Sequence, residues 1–211
     1  CNSFDKIGPM SKNMDDVALM MEVIAGDDPK DSTCSDSKVE KYTSYLKKDV
    51  KGMKIGVIKD AFAEGVSDEV SEAVWANIKK LEDLGVKYEE ISLPLSIKYG
   101  VPAYYLLAMS EASTNLACLC GMRYGKHEKL AGSFNEYFSK VRGMNFNDES
   151  KRRIMVGTFA RMSGFRDAYY MKAAKVRSLI IDEYKDAFKK FDCVVSPTMP
   201  LFFKSTIWGS R

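Results

Sequence analysis

The chain has 211 residues, of which 45% are hydrophobic and 29% are charged, so it is long enough for one sizeable globular core or two small ones. Its 32 basic and 29 acidic residues are interleaved and leave a net charge of only +3, so charge alone does not indicate a groove for nucleic acid. No apolar run approaches the roughly 20 residues that cross a bilayer, and residues 1–10 lack a secretory signal, so we predict a cytoplasmic protein with no membrane partner.

The first predicted element is a helix that Asn13 caps and Gly26 ends. Its apolar side chains recur at the i, i+3, i+4 and i+7 spacing of one helical face, at Val17, Met20, Met21 and Ile24. Residues 27–52 are rich in Asp, Ser and Lys. They predict a loop that contains a short helix around residues 39–46.

Residues 54–91 predict a strand, a helix and a second strand. The first strand covers residues 54–58, Ser67 caps the helix that follows, and Gly85 ends that helix. One face of the helix is apolar, at Val70, Val74, Ile78 and Leu81. The second strand covers residues 86–91. It should lie parallel to the first, because a helical crossover returns the chain to the end of the sheet at which the first strand began.

Helices dominate the rest of the sequence. One helix is predicted to begin near Pro102 and to run through Glu111 and Asn115, and two more are predicted over residues 149–162 and 164–191. Residues 192–196 predict a last buried strand. The alternation of strands and helices indicates a single α/β domain interrupted by loops.

The sequence contains few candidate catalytic groups. It has no Gly-Gly-Ser-Ser string and no G-x-S-x-G motif, so the single His127 does not indicate a Ser-His-Asp triad. Five irregularly spaced cysteines favour reduced thiols over a disulfide framework. A zinc site made by Cys118, Cys120 and His127 is the weaker alternative, because structural zinc sites usually show two paired half-motifs. We therefore assign no catalytic residue and no metal site.

Several separated strings carry a family resemblance. They are FDKIGPM at 4–10, VIAGDDPKDST at 23–33, PAYY at 102–105, EASTNL at 111–116, RYG at 123–125, KRRIMVGTFARMSGFRDAYYMKAAKVRSLII at 151–181 and VVSPT at 194–198. In order and spacing they resemble the A subunits of the glutamyl-tRNA(Gln)/aspartyl-tRNA(Asn) amidotransferases, which are amidase-signature enzymes. The first two strings are shared widely among amidase-signature proteins, whereas the Tyr-Tyr, Glu-Ala-Ser and Lys-Arg-Arg strings are particular to this type of A subunit.

The resemblance implies an α/β fold with a mixed central sheet covered by helices, here incomplete. The family's catalytic Ser, second Ser and Lys come from a Gly/Ser-rich region that these residues lack. Residues 1–211 are therefore expected to be a partial amidase domain, a C-terminal-half fragment that follows the signature segment. Residues 205–211 match nothing expected there and are interpreted as an aberrant tail. The isolated chain is predicted to be inactive.

The resemblance also implies half of a glutamine pocket. A guanidinium can grip the α-carboxylate of glutamine through two parallel hydrogen bonds, and Arg153 is the implied group, with Tyr104 lining the same pocket. The local sequence alone, without the family resemblance, favours a solvated helix face for Arg153 and a core position for Tyr104. Glu111 and Asn115 lie one helical turn apart, and a structural polar pair is favoured over contact with substrate.

For the complete protein, the resemblance implies hydrolysis of glutamine and transfer of the ammonia to a B subunit. There, with ATP and Mg²⁺, mischarged Glu-tRNA(Gln) or Asp-tRNA(Asn) is amidated, and a small C subunit braces the heterotrimer. The tRNA is contacted mainly by the B subunit, and no cofactor is expected on this chain. The compartment is the cytoplasm for a bacterial protein, or an organelle in a eukaryote.

Two alternatives stay open at this point. One is a fragment of another amidase-signature hydrolase that acts on a fatty-acid, aryl or urea-derived amide, for which an apolar tunnel would replace Arg153. The other is a non-catalytic remnant that serves as an interaction module, because an incomplete sheet would leave apolar surface for a partner to cover.

Overall fold

The computed structural model describes residues 3–63 and 65–201. The chain divides into two compact units, each made of two separate stretches. Unit 1 comprises Cys1–Asp49 and Tyr104–Ala174, and unit 2 comprises Val50–Ala103 and Lys175–Arg211. The aberrant tail predicted at 205–211 lies outside the described residues.

Unit 2 is built on a three-stranded parallel sheet. Strands β1 (Lys54–Ile58), β2 (Lys87–Ile91) and β3 (Cys193–Val195) lie in the order β2-β1-β3. Both neighbours of β1 run parallel to it, so the predicted parallel pairing of the first two strands is confirmed, and the last strand is confirmed in a shorter form. The family resemblance implies a mixed central sheet. In the described part of the chain, the paired strands are all parallel.

Helix α2 (Asp68–Asp83) connects the first two strands and covers the sheet, as predicted. The Ser67 hydroxyl accepts a hydrogen bond from Val70 N at 3.3 Å and so caps the helix. Gly85 ends it in the left-handed conformation, at φ +88°. The buried core between helix and sheet consists of Ile55, Val57, Ile78 and Val86.

Helix α3 (Pro94–Asn115) begins eight residues before the predicted start, so the prediction near Pro102 was wrong. Pro94 occupies the first turn, where a missing N–H costs nothing. The Glu183 carboxylate accepts hydrogen bonds from Leu95 N at 3.0 Å and from Ser96 N at 2.9 Å, which caps this helix from a distant part of unit 2. Pro102 lies inside the helix and removes a single backbone donor.

Unit 1 contains the predicted first helix, α1 (Met14–Ile24). The Asn13 side chain accepts from Asp16 N at 2.8 Å, as its predicted capping role requires. Of the predicted apolar face, Met20 and Ile24 are exposed, at 44% and 49%, and Val17 and Met21 are partly buried; Ala18 is the buried residue of the helix. In the loop that follows, a single 3-10 turn (Tyr42–Tyr45) stands where residues 39–46 predicted a short helix.

Three further helices follow in the chain. They are α4 (Phe134–Asn145), α5 (Asp148–Arg161) and α6 (Lys172–Phe188), the last preceded by a π-helical turn (Asp167–Met171). Helix α4 was not predicted, although the spacing of Ser133 and Glu136 in the sequence indicates a capping box at its N-terminus. Helices α5 and α6 confirm the two predicted over 149–162 and 164–191, the second in a shorter form. None of the described helices has both the length and the apolar character needed to cross a bilayer.

Within unit 1, helices α3 and α5 cross at unusually close range. A Cβ atom on Gly157 would lie 1.9 Å from Met109 O, so only glycine fits at this position. Ser110 beside the crossing is fully buried, and its hydroxyl donates to Leu106 O at 2.6 Å. Arg161 Nη2 donates to Ser113 Oγ at 2.8 Å on the same face. This crossing fixes helix α5 against the part of α3 that begins at Tyr104.

Candidate functional site

The candidate site is formed by the first turns of α5 and by the part of α3 that belongs to unit 1. Arg152 and Arg153 lie on α5, just beyond the N-cap residue Asn147, whose side chain accepts from Ser150 N at 2.8 Å. Tyr104 and Tyr105 lie on α3. The pKa of Arg153 is raised chiefly by Glu149, and Tyr105 and Tyr104 add smaller contributions in the same direction.

A single carboxylate connects the two arginines. Arg152 donates to Glu149 through Nε at 2.8 Å and through Nη2 at 2.7 Å, which is a bidentate pair. Arg153 donates through Nε to Glu149 Oε1 at 2.6 Å. The spacing is i, i+3 and i, i+4 along one helix, so the three side chains share a face.

The electrostatics of this cluster follow from the shared carboxylate. The hydrogen bonds from Arg152 and Arg153 hold the pKa of Glu149 at about 2, well below its usual 4.5. The same bonds raise the pKa of both guanidinium groups, and Tyr105 adds a smaller favourable contribution to each. At neutral pH the cluster therefore carries two positive charges and one negative charge, a net charge of +1.

Arg153 keeps part of its hydrogen-bonding capacity available. Glu149 engages Nε, whereas the two terminal nitrogens have no hydrogen-bond partner among residues 3–63 and 65–201. The side chain is 46% exposed. The edge formed by the two terminal nitrogens matches the geometry of a carboxylate, so it can accept one in a bidentate arrangement.

Tyr104 belongs to an exposed aromatic cluster rather than to a core. It is 47% exposed, and its ring makes T-shaped contacts with the rings of Phe4 and Tyr105, at centroid separations of 5.5 Å and 5.8 Å. An aromatic ring with a hydroxyl at the edge of an open surface can pack against the aliphatic part of a small ligand and hydrogen-bond to its polar groups.

Glu111 is hydrogen-bonded to Ser3 rather than to Asn115, with which the sequence analysis paired it. The Glu111 carboxylate accepts hydrogen bonds from Ser3 N at 3.0 Å and from the Ser3 hydroxyl, so it ties the N-terminal segment of unit 1 to α3. Asn115 is exposed near the end of the helix. Glu111 thus has a structural role that does not involve Asn115.

The structure adds Glu149 to the site predicted from the sequence, although the sequence already contains a spacing that indicates this residue. An acidic residue three and four positions before an Arg-Arg pair on a helix is correctly spaced to bind both cations. For the alternative zinc site, His127 Nδ1 lies 2.6 Å from Gly121 O. In the described part of the chain, no group of three or more His, Cys, Asp or Glu side chains is arranged to hold a metal ion.

Comparison with known proteins places these features in a family. The amidase family profile matches residues 1–205. The A subunit of glutamyl-tRNA(Gln) amidotransferase from Methanosarcina barkeri is 48% identical over 199 residues, which is 94% of this chain and 41% of that protein. Its counterpart from Carboxydothermus hydrogenoformans is also 48% identical over 199 residues, with the same coverage of both chains. The chain thus spans about two-fifths of the length of the curated relatives it matches.

Solved structures agree with this placement. The crystal structure of the glutamyl-tRNA(Gln) amidotransferase A subunit from Thermotoga maritima superposes with a TM-score of 0.67 at 34% identity, over 92% of this chain and 37% of that one. A bacterial aryl acylamidase of the amidase signature family superposes with a TM-score of 0.71, but at 20% identity it supports the fold alone. With the family profile extending over nearly its whole length, the chain belongs to the amidase family.

Proposed function

We propose that this chain is the part of a tRNA-dependent amidotransferase A subunit that holds the α-carboxylate of glutamine. The relatives at 48% identity carry the name of that subunit, which supports the assignment. The observation that carries it is Arg153, whose side chain is 46% exposed and whose two terminal nitrogens have no hydrogen-bond partner among the described residues, in a cluster of net charge +1. Such a group suits a small ligand with one carboxylate better than it suits an apolar amide.

The proposed division of labour leaves the bond-breaking chemistry to residues other than those of the cluster. Hydrolysis of an amide needs an activated nucleophile and donors for the developing oxyanion. The 211 residues contain no Gly-Gly-Ser-Ser segment, and we assign no catalytic residue among them. Arg153 and Tyr104 would bind and orient glutamine, and an isolated chain should release no ammonia from it. Measurable glutaminase turnover by the isolated chain would contradict this division.

In the whole protein, glutamine would be hydrolysed through an acyl-enzyme, and the ammonia would pass to a B subunit. The B subunit would use ATP and Mg²⁺ to amidate Glu-tRNA(Gln) or Asp-tRNA(Asn) in the cytoplasm, and a C subunit would complete the heterotrimer. None of these ligands is assigned to the described residues of this chain. The chain would contribute to protein biosynthesis only through the binding of glutamine.

The test uses a full-length A subunit in which this sequence replaces the matching segment, assembled with its B and C subunits; we call it the chimaeric enzyme. Arg153→Ala should raise the KM for glutamine by about 10- to 100-fold, because a charge-assisted pair to the substrate carboxylate is lost. The kcat should change little, since the interaction is made equally in the ground state and the transition state. Arg153→Lys should restore only part of the affinity.

The matched control is Lys151→Ala, which removes a neighbouring positive charge from the same helix. Lys151 pairs with Asp148 at 3.6 Å and makes no contact with Glu149 among the described ion pairs. The KM of this control should stay within about twofold of the parent, as expected for an exposed pair. An equal rise in both variants, or a folded chimaera without glutaminase activity, would contradict the proposal.

A hydrolase of apolar amides is the second candidate, because the amidase family profile over residues 1–205 does not by itself distinguish between substrates. The same chimaeric enzyme distinguishes the two, because hydrolysis of an aryl amide has no carboxylate for Arg153 to hold. A higher kcat/KM for an aryl amide than for glutamine, unaffected by Arg153→Ala, would favour the second candidate.

A further inference from the structure

Glu149 connects the two arginines and is the only group to which Arg153 is hydrogen-bonded among the described residues. We propose that Glu149 is a positioning residue, which orients the guanidinium of Arg153 so that its terminal edge faces the glutamine carboxylate. The inference rests on the proposed function and deepens it, because it explains why one exposed arginine can serve as a defined binding group.

The geometry separates the two edges of the guanidinium. A guanidinium presents one edge through Nε and one terminal nitrogen, and a second edge through the two terminal nitrogens. Glu149 takes the Nε position of Arg153 at 2.6 Å and leaves the second edge for a ligand. A carboxylate bound at Nε therefore restricts rotation of the group without competing for the ligand-binding edge.

Glu149 is itself held in place. Arg152 binds both of its oxygens, at 2.8 and 2.7 Å, and Asn147 caps the helix two residues earlier. Two turns further along α5, the contact of Gly157 with the α3 backbone leaves no room for the helix to shift. The Glu149 carboxylate is thus bound by Arg152 and lies on a helix whose position is set by the Gly157 contact.

The charge of the cluster supports the same role. Two guanidinium groups and one carboxylate give the cluster a net charge of +1, which attracts the α-carboxylate of glutamine. Without Glu149, two adjacent cations would repel each other, and Arg153 would lose its hydrogen bond at Nε. Each of these changes widens the range of orientations that Arg153 adopts before substrate binds, and pre-organisation of a binding group contributes directly to affinity.

The experiment is a double-mutant cycle in the chimaeric enzyme, with glutamine as the substrate. Glu149→Ala should raise the KM by about five- to tenfold with kcat within twofold, a smaller loss than that of Arg153→Ala because the cation remains. In the Arg153→Ala background, Glu149→Ala should have no further effect on the KM. Glu149→Gln should give a smaller rise, because its amide oxygen still accepts from Nε.

Asp148→Ala is the matched control, since it removes a carboxylate from the same first turn. Asp148 is fully exposed and pairs with Lys151 rather than with an arginine among the described contacts. Its KM should remain at the parent value. Equal effects of Asp148→Ala and Glu149→Ala, or additive effects of Glu149→Ala and Arg153→Ala, would overturn the positioning role.

The outcomes also separate this inference from the proposed function. If Arg153→Ala raises the KM and both Glu149 variants leave it unchanged, the positioning role is wrong and the glutamine assignment stands. If Arg153→Ala itself has no effect on the KM, the proposed function fails first. Thermal midpoints close to the parent value confirm that each variant is folded, and Glu149→Gln provides the test if the alanine variant does not fold.

Discussion

The sheet core of unit 2 and the helix crossing of unit 1 are both buried, but they are held together in opposite ways. In unit 2, Val57 is 0% exposed and Ile78 is 2% exposed, and the strands and helix meet through large apolar side chains. In unit 1, α3 and α5 meet where Gly157 has no side chain and Ser110 has a small one. The core of unit 2 depends on large buried side chains, whereas the helix crossing of unit 1 depends on a residue that has no side chain. A large-to-small substitution should therefore disrupt the first, and a small-to-large substitution should disrupt the second.

The largest expected effect comes from emptying the unit 2 core. Ile78→Ala should lower the free energy of unfolding by about 2–5 kcal/mol, because it removes buried methyl groups and leaves a cavity between α2 and the sheet. Urea unfolding of the chimaeric enzyme measures the change. Leu84→Ala, at a side chain that is 61% exposed one residue beyond α2, should stay within about 0.5 kcal/mol. Similar losses for the two variants would show that Ile78 is not part of a packed core.

The second effect comes from filling the unit 1 crossing. Gly157→Ala places a Cβ 1.9 Å from Met109 O and 2.3 Å from Met109 C, so the helices must separate. We expect a loss of about 3 kcal/mol, at the upper end of what overpacking costs, measured in the same unfolding experiment.

Gly143→Ala in α4 is the control for the glycine substitution. Nothing lies within 4 Å of the Cβ that it would add, so the higher helix propensity of alanine should leave stability unchanged or raise it by up to about 1 kcal/mol. A neutral Gly157→Ala would mean that the close contact of α3 with α5 is not maintained in solution, and the position of Arg153 relative to Tyr104 would lose its basis.

Different elements of the fold also differ in how far the sequence alone predicts them. The β1-α2-β2 unit follows from local patterns, because the apolar spacing, Ser67 and Gly85 each specify one part of it. The start of α3 does not, because the Glu183 carboxylate that caps it lies 88 positions away from Leu95. The role of Gly157 is equally hidden, since a glycine inside a helix normally weakens it and only the crossing explains its presence.

The candidate site shows the same division. Arg153 and Tyr104 are predicted from the family resemblance, and no periodicity distinguishes them from a solvated or packed helix face. Glu149 was within reach of local reasoning, because its i, i+4 spacing to Arg153 is visible in the sequence. What the sequence could not supply is the orientation of the guanidinium, which depends on the particular edge that the carboxylate occupies.

The smallest expected effect is a difference in acid sensitivity, since the four buried residues of the unit 2 core, Ile55, Val57, Ile78 and Val86, have no ionisable side chain, whereas the cluster in unit 1 contains Glu149. The folded-state pKa of Glu149 is about 2 and its ordinary value is 4.5, so its contribution to stability is complete above pH 4.5 and is lost as the pH falls toward 2. The thermal midpoint of the chimaeric enzyme should therefore exceed that of Glu149→Gln by a constant amount above about pH 5, and the two should converge between pH 4.5 and pH 2. Asp148→Asn is the control, because it removes a negative charge from the same helical turn and so measures the part of the effect that comes from the helix dipole. A gap between parent and Glu149→Gln that stays constant down to about pH 2.5, or that matches the gap for Asp148→Asn at every pH, would mean that the two arginines do not hold Glu149 in solution, and the positioning of Arg153 would have to come from another group.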